Sequence, residues 1–230
     1  MRAVFVDRDG VINRNRKDYV KSWEEFEFLP HSAKALAELT RHGLMTVIVT
    51  NQSVINRGIV SRERVEEINA RMVASLEALG AKVQSVLYCP HRREEGCSCR
   101  KPQPGLLFQA AKKFGIDLPR SYVVGDALTD LAAGEGAGCR TILVMTGRGV
   151  SQFLSIEARR RQGYMVARDL REAVQRILAM EDLVKLGWLE ARLLRALSPF
   201  RLATDAGFPS AGERQATDGL PEDLYRKESA

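Results

Sequence analysis

Four short β-branched or aromatic runs in this chain each stop abruptly at residues able to do chemistry, and that recurrence constrains the fold more than any other feature. Ala3-Val4-Phe5-Val6 runs into Asp7-Arg8-Asp9-Gly10, and Met45-Thr46-Val47-Ile48-Val49 runs into Thr50-Asn51-Gln52-Ser53. Ser85-Val86-Leu87-Tyr88 leads into a loop of cysteines, and Tyr122-Val123-Val124 leads into Gly125-Asp126. Runs of this length and composition read as buried strands. Between them lie helical patterns over 31–42 (closed by Gly43), from the Ser61 cap to about 79, and over 105–114, 128–137 and 169–180. A further strand over 141–145 and an edge strand over 164–167 complete the alternation. The pattern predicts an α/β fold, an open and mostly parallel sheet with helices on both faces. Ligands of such sheets bind outside the carboxyl ends of the strands, where these polar residues fall.

The residue types at those ends suit phosphate. Asp7 and Asp9 stand two apart, and crowding two carboxylates is costly unless a cation neutralises them. Oxygen ligands of this kind suit Mg2+. One carboxylate could then attack phosphorus while the other moves protons. A solvated Asp-x-Asp-Gly turn explains the tetrapeptide equally well when it is taken alone. The other strand ends shift that balance. Thr50 offers a hydroxyl and neighbouring backbone N–H groups for phosphate oxygens, and Lys101 offers a point charge. Asp126 adds a third acid, with Asp130 one helical turn later. Sheet architecture by itself gives no reason for this order of acid pair, threonine, lysine and acid.

Cysteine usage is the second sharp signal. Cys89, His91, Cys97 and Cys99 fall within eleven residues, and the chain holds only four cysteines. Three thiolates and an imidazole match a closed, structural Zn2+ site, although the spacing is not that of a zinc finger. The loop ends at Arg100-Lys101, so the metal would brace the lysine without entering the chemistry. Cys139 stands apart and reads as a small core residue. His31 and His42 read as surface or capping residues.

Together, Asp7-Arg8-Asp9-Gly10-Val11, Thr50-Asn51-Gln52, Lys101-Pro102 and Gly125-Asp126-Ala127-Leu128-Thr129-Asp130 resemble the four motifs of the haloacid-dehalogenase-like phosphotransferases. The resemblance runs over residues 1–149 and extends to about 180. It implies a Rossmann-like phosphatase in which Asp7 is the nucleophile and Asp9 the general acid/base. It also implies that Thr50 and Lys101 bind the transferring phosphoryl group. Asp7, the Asp9 backbone carbonyl and Asp126 would hold Mg2+, with Asp130 orienting the site. Arg8 stands where many relatives carry another residue, but the carboxylate spacing is unchanged.

Only forty residues separate Asp9 from Thr50, too few for a separate cap domain, and none fits between Thr50 and Lys101. The site should therefore be open, with a minimal cap shaped by the loop 13–28, the segment 53–58 and the zinc loop. A minimal cap with a Cys/His loop before Arg100-Lys101-Pro102 resembles the branch containing heptose 1,7-bisphosphate and histidinol-phosphate phosphatases. Asn13, Tyr19-Val20, Thr50-Asn51-Gln52-Ser53 and Arg57-Gly58 look more like the heptose enzymes. That resemblance implies a small phosphorylated sugar as substrate, lined by Asn13, Tyr19, Asn51, Gln52 and Ser53 and recognised by Arg100. Val54-Ile55-Asn56 departs from the heptose enzymes, where smaller residues are usual, and leaves histidinol phosphate as the alternative substrate. A catalytically idle, zinc-braced binding protein is the alternative from another class. The intact Asp7, Asp9, Thr50, Lys101 and Asp126 speak against it.

Charge supports an anionic substrate. Residues 1–180 hold 28 of the 35 Lys/Arg and 20 of the 29 Asp/Glu, a balance of +8, while residues 181–230 carry −2. No basic stripe interleaved with aromatics points to nucleic acid. No apolar stretch approaches the ~18 residues that cross a membrane, and the chain opens on a strand rather than a signal peptide. A cytoplasmic enzyme, monomeric or a weak homodimer, is the expectation. The phosphatase domain is expected over 1–180, followed by an extension over 181–230. An apolar stripe of Leu186, Leu189, Leu193 and Leu197 predicts an amphipathic helix over about 182–197. A Gly-, Pro- and acid-rich tail follows, with the composition of disorder.

Overall fold

Every strand predicted from the sequence lies in one parallel sheet. The computed structural model of the protein describes residues 1–160 and 162–185. Its strands are β1 (Ala3–Val6), β2 (Met45–Asn51), β3 (Val83–Cys89), β4 (Tyr122–Gly125), β5 (Arg140–Val144) and β6 (Met165–Ala167), in the order β3-β2-β1-β4-β5-β6. All neighbouring pairs are parallel. The strand order reverses between β1 and β4, which makes their carboxyl ends the natural crevice for a ligand.

The core explains why the strands read as continuous apolar runs. Val4 and Val6 of β1 enter one hydrophobic cluster and Ala3 and Phe5 the other, so both faces of the strand are dry. Against the first face pack α1 (Ser32–Arg41), α2 (Arg62–Ala78) and α7 (Leu170–Lys185), through residues such as Leu36, Ile68 and Ile177. Against the second pack α3 (Gly105–Phe114) and α4 (Leu128–Gly136), through Leu107 and Ala133.

Helix ends follow the local chemistry. Ser61 caps α2 by accepting from the Arg64 N–H at 3.2 Å. Gly43, at φ +69°, closes α1, and Leu44 N–H donates back to the Leu39 carbonyl at 3.0 Å. On α2, Val65, Ile68, Met72 and Leu76 form the buried stripe, and one polar residue, Asn69, is buried among them.

Two features were not legible in advance. Short helices α5 (Gly149–Phe153) and α6 (Ile156–Arg160) follow β5, where the sequence shows no firm periodicity. Helix α7 also runs unbroken through residue 180 and is described as far as Lys185. Glu181 explains the continuation: it is 4% exposed, accepts from the Tyr122 hydroxyl at 2.8 Å and pairs with Arg2. From residue 186 onward the expected helix, its leucine stripe and the tail lie outside the described residues. No helix of the described residues is long and apolar enough to cross a membrane.

The segment between β1 and β2 forms no cap domain. It is stiffened by a small aromatic cluster, with Trp23 stacked on Phe26 at 5.1 Å and Phe28 edge-on to Phe26 at 5.0 Å. Arg71 of α2 lies over the Trp23 ring at 5.7 Å. Tyr19, at φ +66°, packs with Ile55 against Val54, Val60 and Val65. The bulky Val54 and Ile55 thus tie two parts of the rim together.

Candidate active site

A cleft of about 1530 Å³ opens where β1, β2 and β4 end, lined among others by Asp7, Asp9, Thr50, Arg100, Lys101 and Asp130. Strand pairing places its floor. Val6 is in register with Ile48 and with Val124, so the residues following β1 and β4 emerge side by side. Asp7 N–H continues the ladder to the Val124 carbonyl at 2.9 Å. Gly10 turns away at φ +94°, and a Cβ there would come within 2.1 Å of Asp126 Oδ2. Only glycine allows the motif loop to lie this close to the second acid.

Lys101 is the hub of the floor. Its Nζ donates to Asp7 Oδ1 at 2.7 Å and to the Val49 carbonyl at 2.8 Å, and stands 2.6 Å from Asp130 Oδ1. Burial would lower its pKa, but Asp130 and Asp7 hold the ammonium above the ordinary lysine range. Burial pushes the Asp7 carboxyl up to about 7; Lys101 opposes the rise, and Asp130 and Asp126 add to it. Burial and Asp130 likewise raise Asp126, against the pull of Arg148. Asp130 Oδ2 accepts from Ala127 N–H at 3.0 Å, so both its oxygens are engaged and it braces the lysine.

Oxygens of Asp7, Asp126 and Asp130 lie within 4.8 Å of one another. Three crowded carboxylates with only oxygen donors fit a hard divalent cation such as Mg2+.

Asp9 is held differently. Its Oδ1 accepts from Asn13 Nδ2 at 2.9 Å and its Oδ2 from Gln52 Nε2 at 2.8 Å. Arg8, 1% exposed, adds Nε to Oδ2 at 3.1 Å and Nη2 to Oδ1 at 3.3 Å. Burial would raise this carboxyl, but the charge of Arg8 and the three sets of hydrogen bonds outweigh it and lower its pKa.

Several residues expected to line the site also support its catalytic groups, Asn51 among them while it lines the cleft. Asn51 clamps the Lys101 backbone, donating to its carbonyl and accepting from its N–H, both at 3.1 Å. The amide of Asn13 goes to Asp9 and the Arg14 carbonyl. Gln52 Nε2 also donates to Thr50 Oγ1 at 2.9 Å. Thr50, Gln52, Ser53 and Tyr19 do line the cleft. Arg100 lines it too, while its Nη1 donates to the His91 carbonyl at 3.0 Å.

Arg148 was missed. Its backbone N–H donates to Asp126 Oδ2 at 2.8 Å, and its Nη2 to Oδ1 at 3.3 Å. The available signal was its place, just after a fifth strand whose end faces the same crevice.

Beside this floor stands the second cluster. Among Cys89, His91, Cys97 and Cys99 the recorded ligand-atom separations run from 3.2 to 3.6 Å, with no disulfide. Tetrahedral zinc with these ligands requires edges of about 3.5–3.8 Å. The donor set and its closeness therefore fit Zn2+. The loop is sewn to the floor, because Gln52 N–H donates to the Cys89 carbonyl at 2.7 Å and Asn56 Nδ2 to Glu95 at 2.9 Å.

The chain is similar to known proteins. The HAD-hydrolase-like family model matches residues 98–173. The D-glycero-beta-D-manno-heptose-1,7-bisphosphate 7-phosphatase of Pseudomonas aeruginosa is 40% identical over 147 residues, 64% of this chain and 83% of that protein. The enzyme of the same name from Haemophilus ducreyi is 41% identical over 158 residues, 65% of this chain and 86% of that one. The crystal structure of the D,D-heptose 1,7-bisphosphate phosphatase from B. bronchiseptica, complexed with magnesium and phosphate, superposes with a TM-score of 0.73. It is 36% identical and covers 78% of this chain and 99% of that one. Identity at this level over most of the relatives' length, on the same fold, decides the matter: the chain belongs to the haloacid-dehalogenase-like phosphatases, with the heptose bisphosphate phosphatases as its kin.

Proposed function

We propose that the protein hydrolyses the 7-phosphate of D-glycero-D-manno-heptose 1,7-bisphosphate, leaving the heptose 1-phosphate. The observation that carries the reading is Lys101 buried between Asp7 and Asp130 at the mouth of the sheet, in a chain this similar to enzymes of that name. Asp7 attacks phosphorus, and the bond to the sugar oxygen breaks as Asp9, which must first be protonated against its lowered pKa, gives that oxygen a proton. A water then attacks the aspartyl phosphate, Asp9 takes its proton, and phosphate leaves Asp7. Lys101 and Thr50 hold the phosphoryl oxygens throughout. Asp7, Asp126 and the Asp9 carbonyl would hold Mg2+, which supplies neutralising charge between carboxylates and phosphate. Zn2+ in the Cys89, His91, Cys97 and Cys99 cluster would hold the lysine's loop in place.

Two phosphates on one sugar call for a second cationic anchor. The basic loop of Arg14, Arg16 and Lys17 offers candidates at the cleft, with Arg14 paired to Glu27 and Arg16 to Asp18 and Glu25 at the surface. Arg100, on the cleft wall, is the better anchor, gripping phosphate with its planar fork. Remote binding energy of this kind raises turnover as well as affinity. Catalytic efficiency is therefore expected to be highest on heptose 1,7-bisphosphate, above heptose 1-phosphate and histidinol phosphate, in a panel of phosphorylated metabolites with Mg2+. Arg100→Ala should erode that preference more than it harms a small generic phosphate ester. Equal efficiency on histidinol phosphate and the bisphosphate would overturn the substrate assignment. We further propose a cytoplasmic monomer or weak homodimer, in which residues beyond α7 form an appendage; light scattering of the full chain tests the assembly.

A further inference from the structure

We propose that Arg8 and Asn69 form a positioning pair that aims the Asp9 carboxylate at the oxygen it must protonate; this rests on the acid/base role proposed for Asp9. Arg8 is among the largest fully buried side chains of the protein. Its guanidinium is gripped on two edges. The Nε–Nη2 edge meets Asp9, with distances of 3.1 and 3.3 Å, while Nη1 donates to Asn69 Oδ1 at 2.9 Å. A guanidinium is rigid and planar, so pinning Nη1 fixes the direction of the opposite edge. Asn69 belongs to helix α2, on whose buried face its neighbours are Val65, Ile68, Met72 and Leu76. The direction of Asp9 is thereby referred to a helix packed on the sheet, sixty-one residues away along the chain.

Stability alone does not account for this arrangement. A buried ion pair is weak evidence for stability, since an apolar side chain of similar volume commonly does as well. A polar residue in an apolar helix stripe is likewise no aid to packing. What the pair supplies is orientation: Asp9 keeps 23% of its side chain exposed toward the cleft while Arg8 behind it keeps 1%. Asn13 and Gln52 also donate to Asp9, Asn13 from the loop after β1 and Gln52 from the residue that follows β2. Displacing a reacting group by about 1 Å typically lowers turnover about a hundredfold.

The test compares two kinds of ester in the Mg2+-loaded full chain. An alkyl phosphate such as the sugar bisphosphate needs its leaving oxygen protonated, whereas p-nitrophenyl phosphate has a leaving group that departs unaided. Asn69→Leu should lower kcat on the alkyl ester about ten- to a hundredfold, with KM nearly unchanged. On the aryl ester the loss in the first step, read as the pre-steady-state burst of nitrophenol, should be only a few-fold, since the later attack of water is common to both esters. Asn69→Asp, which still accepts from Arg8, should restore most of the alkyl-ester turnover. If Asn69→Leu fails to fold, Asn69→Ala and Arg8→Lys are read on the same ratio. Equal losses on the two esters in the first phosphoryl transfer, read by single-turnover release of the leaving group, or equal damage by Asn69→Asp and Asn69→Leu, would overturn the pair's role. Asp9→Asn that leaves alkyl-ester turnover intact would instead overturn the acid/base reading itself, which keeps the two failures distinct.

Discussion

Two clusters of metal-binding character stand side by side here, and they are built on opposite plans. The oxygen cluster of Asp7, Asp126 and Asp130 draws on residues from two strand ends and a helix, gathered by topology. The sulfur and nitrogen cluster of Cys89, His91, Cys97 and Cys99 comes from one loop. The first has protein cations in contact with it, Lys101 and Arg148. The second consists of soft ligands that close on one another. A site that must bind, react and release needs partners that can be exchanged, while a site that must only hold needs none. The two meet at one place, since Lys101 follows Cys99 by two residues.

The comparison can be broken most sharply at the oxygen cluster. Asp7→Asn removes the proposed nucleophile and a metal ligand together, so steady-state turnover should fall by more than about 10⁴-fold, beyond the loss from proton transfer alone. Asp9→Asn should lose about 10²–10⁴-fold while Mg2+ affinity, read by calorimetry, stays near normal. Near-normal turnover of Asp7→Asn with Mg2+ present would dismiss the covalent route.

At the other cluster the expected loss is of stability first and of function second. Metal analysis should find about one Zn2+ per chain. Cys97→Ser should lower the melting temperature and raise KM through a displaced Lys101, with a smaller effect on kcat. A zinc-free, reduced protein of unchanged melting temperature would leave the two clusters unrelated.

The smallest effect sharpens the contrast through pH. In the metal-free protein Asp7 is pushed up to about 7 from its ordinary 3.8, so the folded state holds more protons than the unfolded state between those values. That contribution lowers stability as pH rises from about 4 to about 7. A divalent cation favours the ionised carboxylate and reverses the penalty. The rise in melting temperature on adding Mg2+ should therefore be larger at pH 8 than at pH 5.5; a rise independent of pH would argue against metal binding at Asp7.

The two plans were also legible to different degrees. The Cys/His loop is local and could be read by counting. The strand ends were readable because β1, β2 and β4 are short, apolar and stop at polar residues. What the sequence hid is what only packing creates. Asn69 looks like an interruption of a helical stripe until Arg8 is seen against it. Arg148 follows β5 in a stretch whose weak periodicity also concealed α5 and α6. Asn51 lines the cleft as expected, but its second task, bonding the Lys101 backbone in both directions, is visible only in the folded chain.

That last contact has a further consequence. An amide that both accepts from and donates to one residue's backbone stands in for a rung of a β-ladder, just beyond the point where β3 stops. Lys101 is thus held from Asn51 as well as through the zinc loop leading to it, and Cys89 is fixed by pairing opposite Asn51. The stretch 90–100 is anchored at both ends. Doubling the length of such a loop costs only about 0.6 kcal/mol in closure entropy. The stretch therefore behaves as an exchangeable cassette. Insertions or deletions between Arg92 and Gly96 can remodel what the rim meets, while the lysine that faces Asp7 keeps its place.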